Sequence, residues 1–85
     1  MSNYPEKFTD ILNRVNESIL EYEGKNLVED GVISSLDVMT LIAECEEGFE
    51  IEFDPDDIYP ENFESPAALW ALLNKYADEQ NVKLI

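Results

Sequence analysis

The chain has 85 residues, of which 45% are apolar, so its composition fits one folded domain and is too small for two separate cores. Its formal net charge of −15 disfavours binding to nucleic acid or an anionic membrane, and favours partners with basic surfaces. There is no histidine and only one cysteine, which excludes an intrachain disulfide, Ser-His or Cys-His nucleophilic sites and most zinc sites.

A first helix is predicted from about Pro5 to Leu20, because apolar residues recur there at intervals of three and four. These residues are Phe8, Ile11, Leu12, Val15 and Ile19. The stretch from 26 to 34 is predicted as a connecting loop, and Asp30-Gly31 indicates a turn within it. A loop of this length in a small domain often carries function.

A second helix is predicted to begin at Ser34 or Ser35, since serine is a favoured N-cap, and to end near Gly48 or Phe49. Its core-facing positions are Val38, Leu41, Ile42, Cys45 and Phe49. Cys45 lies on this apolar stripe, so we expect it to be a small buried residue without a redox or catalytic role.

Two further helix starts follow. Asp54-Pro55 predicts a helix that Pro60 limits to little more than a turn, and Ser65-Pro66 predicts a last helix. Apolar positions of that helix are Leu69, Leu72, Leu73 and Tyr76. The signals from 77 to 85 are weak, so we expect this C-terminal segment to fray. With no convincing strand, the fold class is all-α: a small bundle of three main helices and one short helix, with its core at about 5–76.

Ser35 is the candidate for chemistry. A serine that follows a long loop and starts a helix exposes its hydroxyl, and a phosphate on it would lie near free backbone N–H groups and the positive end of the helix dipole. Without a histidine to activate it, Ser35 is better suited to modification by another enzyme than to catalysis. The alternative is that Ser34 and Ser35 are only helix caps.

Residues 30–37, Asp-Gly-Val-Ile-Ser-Ser-Leu-Asp, resemble the attachment region of acyl carrier proteins and their aminoacyl-carrying relatives. The family's Gly-x-x-Asp-Ser-Leu pattern places its phosphopantetheine serine at the start of the second helix. Counting on without gaps, residues of the family's types recur, and the resemblance extends over about 8–76. The matching positions after the serine are Leu41, Glu46, Glu47, Phe49, the acidic connection 51–58 and Phe-Glu-Ser-Pro at 63–66.

The resemblance implies a carrier with the four-helix fold of the acyl-carrier type and no catalytic residues of its own. Phosphopantetheine from coenzyme A would be joined to Ser35 by a phosphopantetheinyl transferase, and its thiol would hold an acyl or aminoacyl group as a thioester. Ser34 departs from the family, which usually has Asp there, and this affects recognition by a standard transferase. Modification of Ser34 instead is a further alternative, although the register favours Ser35.

The second helix also suggests how partner enzymes dock. Leu36, Met39 and Ala43 fall to one side of the core stripe and form a small apolar patch beside Ser35, with Glu46 and Glu47 nearby. Loading and acyl-transfer enzymes with basic surfaces would be steered by the acids and held by the patch. The alternative is that Leu36 and Met39 widen the core stripe and the acids form a solvated face.

Three uses compete within the carrier hypothesis: fatty-acid synthesis, carriage of D-alanine or another amino acid for cell-wall modification, and a stand-alone carrier for polyketide or peptide products. The Gly-Val-Ile-Ser-Ser run and Ser34 favour a specialised stand-alone carrier. A second class is an acidic interaction module without a prosthetic group, which masks a basic partner surface.

The polar N-terminus and the absence of a long apolar run predict a cytoplasmic protein with no membrane insertion, and we expect a monomer. The acids at 54–57 do not follow the order of a calcium-binding loop, so we expect no metal site.

Overall fold

The computed structural model describes residues 4–84, so residues 1–3 of the polar N-terminal segment and residue 85 of the C-terminal segment lie outside it. Its main elements are three α-helices: α1 (Glu6–Val15), α2 (Ser35–Phe49) and α3 (Pro66–Gln80). Two 3-10 helices, Pro55–Asp57 and Pro60–Phe63, connect α2 to α3. Residues 4–84 contain no strand, which confirms the predicted helical fold; the short fourth element consists of two single turns.

Helix α1 is shorter than the sequence predicted. Asn16 adopts an extended backbone with φ −163° and ψ 118°, so the helix ends before it. The Asn16 side chain accepts a hydrogen bond from the Ser18 N–H and donates one to the Val32 carbonyl, each at 2.8 Å. Asparagine side chains compete with helical hydrogen bonds in this way. The prediction of a helix to Leu20 was therefore wrong, although Ile19 is still buried in the core.

The loop between α1 and α2 is fixed to the rest of the fold by buried side chains and by its backbone. Leu27 and Ile33 are buried, and the Leu27 N–H donates to the Glu64 carbonyl at 2.8 Å, which ties this loop to the segment before α3. Gly31 has a φ of +76°, a conformation that glycine adopts without steric cost. The predicted turn at Asp30-Gly31 is thus confirmed, and the loop delivers the chain to the start of α2 in a defined position.

A single apolar core joins the three α-helices and both connections. Its members include Phe8, Ile11, Leu12, Leu27, Ile33, Leu41, Ile42, Cys45, Phe49, Ile51, Phe53, Phe63, Leu69, Leu72, Leu73 and Tyr76. The expected burial of Cys45 is confirmed, since its side chain is fully buried. Trp70 is half-buried, and its ring packs against Phe8 and Phe49.

Residues 77–84 are better packed than their sequence signals predicted. Helix α3 continues to Gln80, whose side chain both accepts from the Glu52 N–H at 3.0 Å and donates to the Glu52 carbonyl at 2.8 Å. Leu84 is buried against the core. The weak local signals were overridden by these tertiary contacts, which are not visible in the spacing of residues along one helix. In the described part of the chain no helix has both the length and the apolar character needed to cross a membrane.

Candidate functional site

The start of α2 is organised by Ser34, which is its N-cap. The Ser34 hydroxyl accepts a hydrogen bond from the Asp37 N–H at 3.2 Å, and the Asp37 carboxylate accepts one from the Ser34 N–H at 2.9 Å. This reciprocal pair is a capping box, which satisfies two donors that a helix start otherwise leaves without partners. Both the Ser34 hydroxyl and the Asp37 carboxylate are therefore engaged in holding the helix start.

Ser35 is the first residue of α2, and it is exposed. Its hydroxyl makes no hydrogen bond to any of the residues 4–84, in contrast to the neighbouring Ser34 hydroxyl. A free backbone N–H of the first helical turn and the positive end of the helix dipole both favour a negatively charged group here. The chemistry of this position thus fits a phosphodiester on Ser35, whereas the Ser34 oxygen is already used as a cap.

An apolar groove of about 240 Å³ opens directly beside Ser35. It lies between the α1–α2 loop, the first turns of α2 and the link between the two 3-10 helices. Its lining residues are Val28, Ser35, Val38, Met39, Ile58 and Tyr59. A larger depression of about 660 Å³ is lined only by residues of α1, among them Glu6, Lys7 and Arg14, and does not include Ser35.

A hydrogen-bond network holds the outer wall of the groove against α3. The Tyr76 hydroxyl donates to the Asp57 carboxylate at 2.7 Å and accepts from the Asp54 N–H at 3.0 Å. The Lys75 ammonium also reaches Asp57, at 3.3 Å. The hydrogen bonds from Tyr76 and Lys75 hold the pKa of Asp57 below its ordinary value, and burial together with Asp57 raises the pKa of Tyr76. The first 3-10 helix is therefore fixed to α3 rather than free to move away from the groove.

The outer face of α2, which we define as Leu36, Met39, Ala43 and Glu47, points away from the core. Leu36 is 77% exposed and Met39 is 57% exposed, and Ala43 and Glu47 are exposed as well. The alternative, in which Leu36 and Met39 widen the core stripe, is therefore wrong. Large apolar side chains are thus exposed beside Ser35, and their role in partner docking stays a prediction.

Glu46 has a different environment from Glu47. It is half-buried, and its carboxylate accepts a hydrogen bond from the Phe53 N–H at 3.0 Å, so it holds the segment that follows α2. Glu44 forms an ion pair with Arg14 on α1 at 3.8 Å. Since no basic residue occurs between 26 and 74, the outer face of α2 keeps an acidic surround. Of the two predicted docking acids, Glu46 and Glu47, it is Glu47 whose side chain has no hydrogen-bond or ion-pair partner within residues 4–84.

Tyr59 belongs to the site but was not singled out from the sequence. It is 46% exposed, and like Met39 it is a lining residue of the groove. Pro60 was a usable signal, because a residue before proline is driven into extended backbone, and Tyr59 has φ −142° and ψ 159°. The sequence could not predict that the link between the two 3-10 helices places Tyr59 beside the start of α2.

The acids of the first 3-10 helix act as helix-start residues. The Asp54 carboxylate accepts from the Asp56 N–H at 2.9 Å, and Asp57 is bound to Tyr76 and Lys75. Among residues 4–84, no three acidic or cysteine side chains come together in a way that could hold a metal ion.

The chain was compared with known protein families, curated proteins and solved structures. The family model for a phosphopantetheine attachment site matches residues 6–73, which is most of the chain. No curated protein and no solved structure gave a significant match. The matched region spans α1, α2, both 3-10 helices and the first half of α3.

Proposed function

We propose that this chain, which belongs to the phosphopantetheine attachment-site family, carries its prosthetic group on Ser35 and delivers acyl or aminoacyl groups to partner enzymes. The family holds phosphopantetheine covalently, and the chain is a phosphopantetheine carrier protein in that general sense. The assignment to Ser35 is supported by one observation above all. Of the two adjacent serines, only Ser35 has a hydroxyl that is exposed and not engaged in the capping box.

Attachment needs little from the chain itself beyond presenting this hydroxyl. The Ser35 oxygen would form a bond to the phosphorus that carries the pantetheine of coenzyme A. The phosphoanhydride bond then breaks, adenosine 3′,5′-bisphosphate leaves, and the hydroxyl proton is taken by a base. Asp37 is already bound to the Ser34 N–H and the sequence has no histidine, so this base belongs to the transferase. When attached, the group supplies a thiol that forms a thioester with the cargo.

Ser34 replaces the aspartate that usually precedes the attachment serine. Its hydroxyl accepts the same kind of hydrogen bond from the start of α2 that a carboxylate at an N-cap would accept. The change therefore preserves the local fold and removes one negative charge next to Ser35. We propose that a transferase for this chain does not depend on that charge.

The outer face of α2, with Glu46 beside it, is the proposed docking surface for loading and acyl-transfer enzymes. The acidic surround steers a basic partner toward the helix, and Leu36, Met39 and Ala43 supply apolar contact close to the arm. Glu47 is available for a direct ion pair, whereas Glu46 contributes charge from a position that it holds through Phe53. We further propose a monomeric, specialised stand-alone carrier in the cytoplasm.

The net charge of −15 favours a second candidate function, an acidic module that masks a basic surface and carries no prosthetic group. Such a module needs no serine at 35, and its binding falls steeply as salt screens the charges. A carrier, in contrast, gains a covalent group that salt does not remove.

The test is the intact mass of the protein after incubation with coenzyme A and a broad-specificity transferase. Ser35→Ala and Ser34→Ala form a matched pair, since each removes one hydroxyl from adjacent positions. We expect the unsubstituted chain and Ser34→Ala to gain one phosphopantetheine, and Ser35→Ala to gain none. A gain that persists in Ser35→Ala would move the site to Ser34. No gain in any chain, while a control carrier in the same tube is modified, would favour the acidic module.

A further inference from the structure

The groove beside Ser35 exposes apolar surface that the fold itself does not use. Met39 lies on α2 and Tyr59 in the connection, and their side chains are 57% and 46% exposed. Neither belongs to the core or to the partly buried shell around it. Exposed large apolar side chains that converge on one groove indicate a binding surface more often than do such side chains scattered singly.

We propose that this groove holds the branched, apolar end of the phosphopantetheine arm nearest the phosphate, and that Tyr59 is the residue that positions it. This inference rests on the proposed attachment at Ser35. The occupant follows from continuity, because Ser35 is itself part of the groove lining. A group tethered to Ser35 is present at high effective concentration in the groove without any further binding step.

The chemistry of the arm selects which part of it binds. Next to its phosphate the arm has a methylene and then a carbon with two methyl groups, and only beyond these come its two amides and the thiol. The two-methyl unit is thus the first apolar group reached from Ser35, and it suits a groove with an almost wholly apolar lining. At about 240 Å³ the groove is smaller than the roughly 300–1,000 Å³ pockets that hold a drug-sized ligand, so it suits this unit rather than the whole arm with a long acyl chain.

The backbone around Tyr59 is fixed, so its ring can act as a wall. The Asp57 carbonyl accepts hydrogen bonds from the Tyr59 N–H at 3.1 Å and from the Asn62 side chain at 2.7 Å. The Tyr59 carbonyl in turn accepts from the Asn62 N–H at 3.1 Å. Asp57 is anchored to α3 through Tyr76. Because the backbone that carries it is already held, the Tyr59 ring has less conformational freedom to lose when it contacts a tethered group.

The experiment is an isotope-filtered nuclear Overhauser measurement on labelled protein that carries an unlabelled arm. We expect cross-peaks from the two arm methyl groups to the Tyr59 ring and to the Met39 methyl, in the protein without cargo. Tyr59→Ala should gain the arm by mass and lose the cross-peaks to Met39, whereas Tyr59→Phe should keep them. Leu20→Ala, an exposed leucine outside the groove, is the control and should change nothing.

Three results would overturn the inference. The unsubstituted protein gives no cross-peaks between the arm methyl groups and Tyr59, so the groove does not hold the arm, and this result needs no variant to interpret. Protein loaded with an octanoyl thioester gives cross-peaks from the acyl chain in place of those from the arm methyl groups, so the groove holds cargo. Tyr59→Ala keeps every cross-peak, so Tyr59 does not position the arm. If no arm is gained by mass at all, the proposed function itself has failed.

Discussion

The two sides of α2 use apolar side chains for opposite purposes. Its inner face, which we define as Leu41, Ile42, Cys45 and Phe49, is buried in the core. Its outer face leaves Leu36 and Met39 exposed beside Ser35. Burial of an apolar side chain stabilises the fold, and exposure of one does not. We infer that the inner face determines the stability of the protein and that the outer face is kept apolar for contacts made with other molecules.

The largest contrast is expected in the reactivity of the only cysteine. Burial, and after it the charges of Glu44 and Glu46, raises the pKa of the Cys45 thiol from 9.0 to about 12. Because the thiolate is the reacting form, the folded protein without its arm should react with a disulfide reagent about a thousandfold more slowly than in denaturant. Stopped-flow absorbance at constant pH measures both rates. Equal rates would mean that the inner face opens readily, and the contrast between the faces would fail.

The next largest effect is expected on the free energy of unfolding, when Leu41 on the inner face of α2 is substituted. Leu41→Ala removes a side chain that is 2% exposed and should lower the free energy of unfolding by about 2–5 kcal/mol. Urea unfolding followed by circular dichroism gives this value. A loss as small as that of a surface substitution would show that the core can close around the missing side chain.

Leu36→Ala is the matched outer substitution, on a leucine of the same helix. Stability should change by no more than about 0.5 kcal/mol, because the side chain is largely exposed already. Partner docking should suffer instead, with the KM of a loading enzyme for the carrier raised roughly tenfold and its kcat little changed. Steady-state kinetics at fixed salt separate the two parameters. An unchanged KM, or a large loss of stability, would remove Leu36 from the docking surface.

A smaller effect is expected from the capping serine. Ser34→Ala removes the acceptor for the Asp37 N–H and should lower the free energy of unfolding by about 1 kcal/mol. Ser35→Ala should leave stability unchanged, since its hydroxyl has no partner within residues 4–84. Urea titration of both variants checks the difference between the two serines. Equal losses would contradict the assignment of Ser34 as the cap and Ser35 as the free hydroxyl.

The smallest effect concerns the wall of the groove and depends on pH. The pKa of Asp57 is lowered from its ordinary 3.8, so ionised Asp57 stabilises the fold above that value, and this contribution is lost as the pH falls through the lowered folded pKa. Wild type should be more stable than Asp57→Asn at pH 7, and the difference should vanish in acid. Urea unfolding of both chains across the pH range measures it. A difference that does not change with pH would mean that the charge of Asp57 is not what matters.

The sequence was sufficient for the features that depend on local pattern. The start of α2, the turn at Gly31 and the burial of Cys45 follow from capping, backbone freedom and apolar spacing, and all three are confirmed. The predicted end of α1 was wrong because the Asn16 side chain donates a hydrogen bond to the carbonyl of Val32, 16 residues further along the chain. The spacing of apolar residues along a helix does not reveal such contacts.

The candidate site was predictable only in part, for the same reason. Ser35 and the outer face of α2 lie within one helix, so their spacing was visible in the sequence. Tyr59 joins them from a different segment, through a connection that Asp57 and Tyr76 fasten to α3. A groove formed by two segments can be recognised only from the tertiary structure, since no motif within either segment predicts it.

The central claim is that the arm is attached to Ser35 and not to Ser34, and it can be tested on the unsubstituted chain. Cleavage after Asp30 and Asp37 releases a short peptide, residues 31–37, that contains both serines. Fragmentation of this peptide in a tandem mass spectrometer, taken from protein modified with coenzyme A, shows which of the two serines carries the added mass. We predict fragment ions with the added phosphopantetheine at Ser35 and an unmodified Ser34. Fragment ions with the added mass at Ser34, or an unmodified peptide beside a modified control carrier, would contradict the account.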